Sequence, residues 1–408
     1  MKRTGALLIT LLLTSGIHAF GQKNTSKLDQ TASIRTLDSL IHEASTMALR
    51  SSDYSHGCID SLLAQPKNLV IFPSDSLQLI LKIKQIALHF FEDLSYGNKA
   101  PSLDFIGVKN PVKDAKLEAQ VEAAWAGNSL ASLAKLLYTR VPEVNSLIEA
   151  LAHWKEAEPW KKSDLLEAIQ EYRWLYALKK NQPVVLVNIP RAELEVFQAT
   201  RPIMKMKVVL GKPENQTRTL VSRFHTLIIN PFWYVPKRIA AKELLPKILK
   251  NKHYFEDNQF QVLNARNEVI DPTSVHWKSL GPNNFPYTLR QSTGCDNSLG
   301  LMKLQFQSPF TIFLHDSPEK KLFHASQRYF SHGCVRLEKP LELGRWLLGK
   351  NKIALDTVNF ATNRINPKSV SVPLRGNTLL LIWYPKIDVN ASGEIIRNAD
   401  IYHKFPQE

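Results

Sequence analysis

Cysteine is scarce: Cys58, Cys295 and Cys334 are the three in 408 residues, which excludes a small disulfide-stapled scaffold. Neither an HExxH run nor a CxxC pair occurs, so the usual ligand spacings of a zinc enzyme are missing. No apolar stretch reaches the roughly 20 residues that a membrane span needs, and no internal repeat or low-complexity tract is evident. Acidic residues are outnumbered, 37 against 52 Lys and Arg, and the resulting +15 draws the chain toward polyanions such as nucleic acid, anionic membrane or an anionic polymer matrix. With 44% hydrophobic and 22% charged residues the composition is globular, and the length suits about two or three domains.

The N-terminus supplies a compartment. Lys2 and Arg3 precede the apolar run 6–13, and the small residues Ala19 and Gly21 stand three and one positions before a cut ahead of Gln22. That is the layout of a secretory signal peptide over residues 1–21, and the run is short for the alternative, a retained anchor. Cleavage would remove Lys2 and Arg3 and no acid, lowering +15 to +13. No cysteine lies near the cut, which argues against a lipid-modified N-terminus. Export permits disulfides, yet an odd cysteine count leaves at least one free thiol.

Residues 22–182 read as helical. From Ser76 onward Leu79, Ile80, Ile83, Ile86, Ala87, Phe90, Phe91 and Leu94 follow helical spacing, with Ser74 or Asp75 as N-cap. Further patterns run through 146–154 and through Leu165, Ile169, Tyr172 and Tyr176 after Pro159, while 97–111 reads as a loop. The texture changes at Pro183. Short runs at 184–189, 204–210, 220–229, 301–306, 310–314 and 378–384, bounded by Gly, Pro and Asn, predict strands. A loop-rich stretch with one charged helix over 240–250 separates the early strands from the late ones, and a helix starts at Pro340.

Ser331-His332-Gly333-Cys334-Val335-Arg336 can do chemistry. A reactive cysteine needs a base, a backbone open to an approaching carbonyl, and N–H donors for a tetrahedral oxyanion. His332, His324 and His315 are candidate bases. His332 would share a side with Cys334 in an extended segment, but His315, at the end of a strand, is the preferred one. The same four residues could in principle hold zinc, which is the metal-hydrolase reading; the bland reading is an inert buried cysteine. Ser55-His56-Gly57-Cys58 repeats the tetrapeptide without a following arginine and with Ser39 at the offset of His315, so the tetrapeptide alone is a weak signal.

His315 in Leu-His-Asp-Ser-Pro together with 331–336 resembles the signature of the L,D-transpeptidase (YkuD-type) catalytic domain. Val187-Asn188-Ile189-Pro190, 229–236, Phe285-Pro286-Tyr287, Asn297-Ser298-Leu299-Gly300 and Asp400-Ile401-Tyr402 are similar to segments of its long, scaffold-bearing periplasmic members. The likeness covers about residues 75–405 and is most specific over 183–340. It implies an α+β multidomain fold: signal peptide 1–21, helical scaffold domain 22–182, β-rich catalytic domain 183–348 with a capping segment at 237–300, and a C-terminal extension 349–408 whose strand packs on the catalytic domain. Two departures stand out. The small wall-binding helical insertion of long members is absent, which leaves wall targeting to the basic surface or to a partner. Cys295 stands where a non-cysteine residue is expected, and a Cys58–Cys295 disulfide is one option.

Carried over by position, the resemblance makes Cys334 the nucleophile and His315 the general base. Ser331, His332 and Gly333 would shape the turn and its oxyanion donors, and Arg336 would organise the site, meet a substrate carboxylate or form a structural salt bridge. Asp316 would fix the loop around His315 or serve as a turn former, and Asn297 and Gly300 would be structural. The implied reaction takes peptidoglycan stem peptides, releases a terminal D-Ala and forms 3→3 cross-links. Hydrolysis, exchange and a non-catalytic wall-binding role are the alternatives. No cofactor, metal or nucleic acid is implied, nor any membrane span after signal cleavage; envelope protein partners stay unidentified.

Overall fold

The computed structural model describes residues 27–54, 57, 59, 60, 74–112, 114–294, 296–349 and 368–405. The expected signal segment, Cys58 and Cys295 lie outside them. The helices that come first include α1 (Lys27–His42), α2 (Ser74–Tyr96), α3 (Ala115–Ala126), α4 (Leu130–Thr139), α5 (Pro142–Ala152) and α6 (Lys162–Asn181). The stripe expected on α2 is its buried face, Ile80, Ile83, Ala87, Phe90, Phe91 and Leu94, packed with Leu37, Ile41 and Leu130 from α1 and α4. An Asp114 carboxylate accepts the Lys116 amide and starts α3, and Pro142 opens α5, where its missing N–H costs nothing. The stretch 97–111 is not all loop: β1 (Phe105–Ile106) pairs in parallel with a later strand.

From residue 184 the chain builds a ring of strands. These are β2 (Val184–Asn188), β3 (Glu193–Gln198), β4 (Arg201–Gly211), β5 (Leu220–Ile229), β10 (Met302–Phe306), β11 (Leu314–His315), β13 (Val335–Leu337) and β15 (Leu379–Trp383). They are hydrogen-bonded in the order β5-β10-β11-β13-β4-β3-β2-β15, and β15 pairs back onto β5. β12 (Tyr329–Ser331) and β14 (Val370–Pro373) add to β4 and β5. The C-terminal strand is therefore an interior member of the ring, parallel to β2 and antiparallel to β5, where the sequence suggested one packed on it.

β2 and β15 are buried along their whole length because they face two cores. Val185, Val187, Leu380 and Ile382 point into the barrel. Val184, Leu186, Leu379, Leu381 and Trp383 meet the helical part, where Tyr172 of α6 sits edge-on to Trp383 at 5.6 Å. The two halves of the chain thus share one apolar layer.

Between β5 and β10 the chain makes a separate small unit. β6 (Trp233–Tyr234), β9 (Thr288–Gln291), β7 (Phe260–Leu263) and β8 (Val269–Ile270) form a four-stranded sheet in that order. A helical stretch, α7, runs from Lys237–Ile239 through the π-type turn Ala240–Leu244 into Leu245–Lys250, followed by α8 (Tyr254–Asp257). Their core is their own: Val235, Leu244, Phe255, Phe260 and Leu289 among others. After β13, α9 (Pro340–Leu348) returns to the barrel, and β16 (Ile387–Val389) and β17 (Ile395–Arg397) form a hairpin. Among the described residues no helix is long and apolar enough to cross a membrane.

Candidate active site

Three short strands set the site. β11 pairs antiparallel with β10, Lys303 opposite His315, and parallel with β13, His315 opposite Arg336. Because side chains alternate across a strand, Leu304, Leu314, Val335 and Leu337 enter the barrel core while Lys303, His315 and Arg336 form a row on the outer face. Phe313 and Cys334, each two residues earlier, share that face. The strand is shorter than the 310–314 run suggested and shifted by one residue, since its ladder residues are Leu314 and His315.

The turn ahead of β13 is stapled from inside and braced from below. Buried Ser331 donates its hydroxyl to the Cys334 carbonyl at 2.6 Å and accepts the Gly333 amide at 3.1 Å. Gly333 has φ +112, a conformation that L side chains rarely adopt. Its carbonyl accepts the Thr217 hydroxyl at 3.0 Å, and the same hydroxyl oxygen accepts the Gly211 amide at 2.9 Å. Tyr402 closes the brace: its hydroxyl donates to the Gly211 carbonyl at 2.7 Å and accepts the Thr217 amide at 3.3 Å, its ring stacked on Tyr384. With the Gly333 amide held by Ser331, the Cys334 amide has no acceptor among the described residues.

His315 is 4% exposed. Its Nδ1 donates to the Asp316 carbonyl, and the Leu299 carbonyl also faces the ring as an acceptor. Burial, reinforced by the charge of Arg336, holds its pKa down to about 3; the Asp316 carbonyl works the other way. The imidazole is neutral. Asp316 anchors the loop around it, its carboxylate taking the amides of Ser317 and Leu301 and the Lys320 ammonium. Asn297 serves the same frame, bonding the Ser292 carbonyl and the Leu299 amide. Any Cβ on Gly300 would strike the Asp316 carboxylate.

Cys334 is partly exposed, and burial pushes its thiol up to about 11, against the lowering pull of a Phe313 backbone hydrogen bond and of Lys303 and Arg336. The thiol donates to the Thr311 carbonyl at 3.9 Å, and no hydrogen bond joins it to His315. The Arg336 guanidinium is 2.6 Å from the Glu319 carboxylate. His332 turns away from the thiol to Glu243 on α7, Nε2 to Oε1 2.8 Å, and so ties the turn to the small unit above it. His324 is exposed on the turn Lys320–His324. Among the described residues no three His, Cys, Asp or Glu side chains gather in a way that could hold a metal.

Sequence reasoning brought Cys334, His315, Ser331, Gly333 and Arg336 to one place, with His332 at its rim. It passed over Lys303, Thr217, Glu243, Glu319 and the role of Tyr402. Lys303 in Met-Lys-Leu looks like an ordinary outward strand lysine, and the others lie far from the motif in sequence. Their only signal is register, which a single chain does not display.

Residues 182–358 match the family model of the YkuD L,D-transpeptidase catalytic domain. A putative L,D-transpeptidase of Haemophilus influenzae is 32% identical over 218 residues, spanning 53% of this chain and 44% of that protein, less than half its length. Among solved structures, an L,D-transpeptidase from Mycobacterium smegmatis aligns at 12% identity and TM-score 0.23 over 49% of this chain and 58% of its own. L,D-transpeptidase 3 from Mycobacterium tuberculosis aligns at 9% identity and TM-score 0.24 over 49% and 60%. Superpositions at these scores say nothing about the chemistry.

Proposed function

On the premise that residues 182–358 carry an L,D-transpeptidase catalytic domain, we propose that the protein is a peptidoglycan L,D-transpeptidase acting by cysteine acyl transfer. The observation that carries this is the shared outer face of β11 and β13, where a thiol on a braced turn lies one strand from a neutral, oriented imidazole.

Cys334 is the nucleophile and His315 the base. The thiol proton passes to His315 Nε2 as Sγ attacks the carbonyl of the third stem residue, and the Cys334 amide donates to the oxyanion. The carbon–nitrogen bond to the terminal D-Ala breaks, His315 returns the proton to the departing amine, and a thioester remains. A side-chain amine of a second stem then attacks the thioester and gives up a proton, which restores the thiol and leaves a 3→3 cross-link. A thioester keeps enough acyl-transfer potential to complete this without ATP, and the chemistry calls for no cofactor. Thiol and imidazole are not bonded in the resting protein; catalytic hydrogen bonds of this kind often tighten only with substrate in place.

Ser331 and Gly333 hold the turn, His332 links it to the 237–300 cap, and Arg336 with Glu319 borders the cleft. The helical part serves as a scaffold, and the protein acts outside the cytoplasm, in the periplasm, where +13 on the mature chain concentrates it on an anionic wall.

Mass spectrometry of tetrapeptide muropeptides incubated with the mature protein tests the reading, with Cys334→Ala as control. Dimers that have lost D-Ala, formed by the wild type alone, are expected. Tripeptide without dimers would make the protein a carboxypeptidase, and no turnover by a folded sample would leave a wall-binding scaffold.

A further inference from the structure

The electrostatics around Cys334 are unevenly balanced. From β13 comes Arg336, whose charge is paired with Glu319 at 2.6 Å. From β11 comes His315, neutral, and from the turn itself His332, engaged with Glu243. From β10 comes Lys303. Its ammonium has no carboxylate partner among the described residues and lies 3.8 Å from the centroid of the Phe313 ring, a cation–π contact that holds it over the same face as the thiol. Register places Lys303 opposite His315, in the row next to Cys334.

We infer that Lys303 is a positioning residue for the nucleophile, supplying the uncompensated positive charge that stabilises the Cys334 thiolate. The inference rests on the proposed role of Cys334 and adds to it the group that makes a partly buried thiol usable. Burial alone drives that thiol away from ionisation, and His315 takes the proton without contributing charge until it has done so. A lysine held by an aromatic ring instead of an anion keeps its charge unneutralised on the face that carries the sulfur. The influence is mutual: burial lowers the Lys303 pKa, and the thiolate of Cys334 raises it. No covalent step passes through Lys303, which keeps its proton throughout.

The test is the pH dependence of Cys334 alkylation by iodoacetamide in the full mature chain, with the label assigned by peptide mapping so that Cys58 and Cys295 do not contribute. An opposite charge within a few ångströms lowers an acid's pKa by roughly 1–3 units. Lys303→Met is therefore expected to slow labelling about tenfold at neutral pH, where Lys303 carries its proton, and to leave the rate unchanged at the alkaline end, where Lys303 has lost it. Lys303→Arg, which keeps the charge, should restore most of the rate. Lys303→Gln repeats the neutral substitution in a polar side chain should the methionine variant not fold. An unchanged labelling rate at neutral pH in a folded neutral variant overturns the inference. So does failure of the arginine variant to restore the rate, because the effect would then be packing and not charge. The readout needs no muropeptide. Full turnover by Cys334→Ala would sink the transpeptidase mechanism, whereas an unchanged labelling rate at neutral pH sinks the role of Lys303 alone.

Discussion

Burial decides the protonation of the candidate base. With its pKa held down to about 3 against an ordinary 6.5, His315 favours the neutral form in the folded protein, so the stability it contributes is present above about pH 6.5 and is lost as pH falls toward 3. Thermal melts across that range should show a falling midpoint, and His315→Gln should flatten the fall. The same substitution is expected to lower turnover of tetrapeptide stems by roughly 10²–10⁴-fold, the usual worth of a general base, with the circular dichroism spectrum unchanged. Cys334→Ala should abolish turnover. Cys334 and His315, the candidate nucleophile and base, stood out in the sequence because Ser-His-Gly-Cys-Val-Arg and Leu-His-Asp-Ser-Pro each gather several constraints into a short run. Lys303 was not, since an alternating strand puts a lysine outward whether it faces water or a thiol.

Among the elements, the turn before β13 is held by groups that the chain supplies from three other places: Thr217 ahead of β5, Gly211 at the end of β4, and Tyr402. Thr217→Val would leave the Gly211 amide and the Gly333 carbonyl without their shared partner in a fully buried position. A loss of about 1–3 kcal/mol is expected from chemical denaturation, with kcat falling more than KM rises because the Cys334 amide, the proposed oxyanion donor, is displaced. Tyr402→Phe removes the neighbouring bonds, so a double-mutant cycle with Thr217→Val should return a coupling of about 0.5–3 kcal/mol. Helix α2 was readable from its stripe because 23 residues repeat one pattern many times. β1 and the strands of the small four-stranded unit were not, because two to four residues hold too few alternations to tell a strand from a loop.

Across the whole molecule, closure of the barrel depends on β15, and β15 shares its second face with α6. The sequence showed where helix gives way to strand, between Asn181 and Val184, but not that the two sides would share a core, since continuous apolar runs in β2 and β15 do not say what covers them. With Tyr172, Leu175, Trp383 and Leu381 in one apolar layer, the helical part and the barrel should unfold together. Near-ultraviolet and far-ultraviolet melts are expected to coincide, and two separated transitions would contradict this. A chain ending at residue 348 lacks β14 and β15 and should fail to give a cooperative transition, although it retains Cys334 and His315.

The brace on the nucleophile turn also sets an order in time. A chain that emerges N-terminus first exposes Cys334 well before Tyr402 exists to hold Gly211 and Thr217 in place, and before β15 has closed the ring. Until then the sulfur sits on an unsupported loop with its burial, its partner amide and its flanking charges unassembled. The fold is thus its own safety catch: the proposed acyl transfer requires a molecule that has been made through to Tyr402, and an interrupted chain carries the signature without the assembled site.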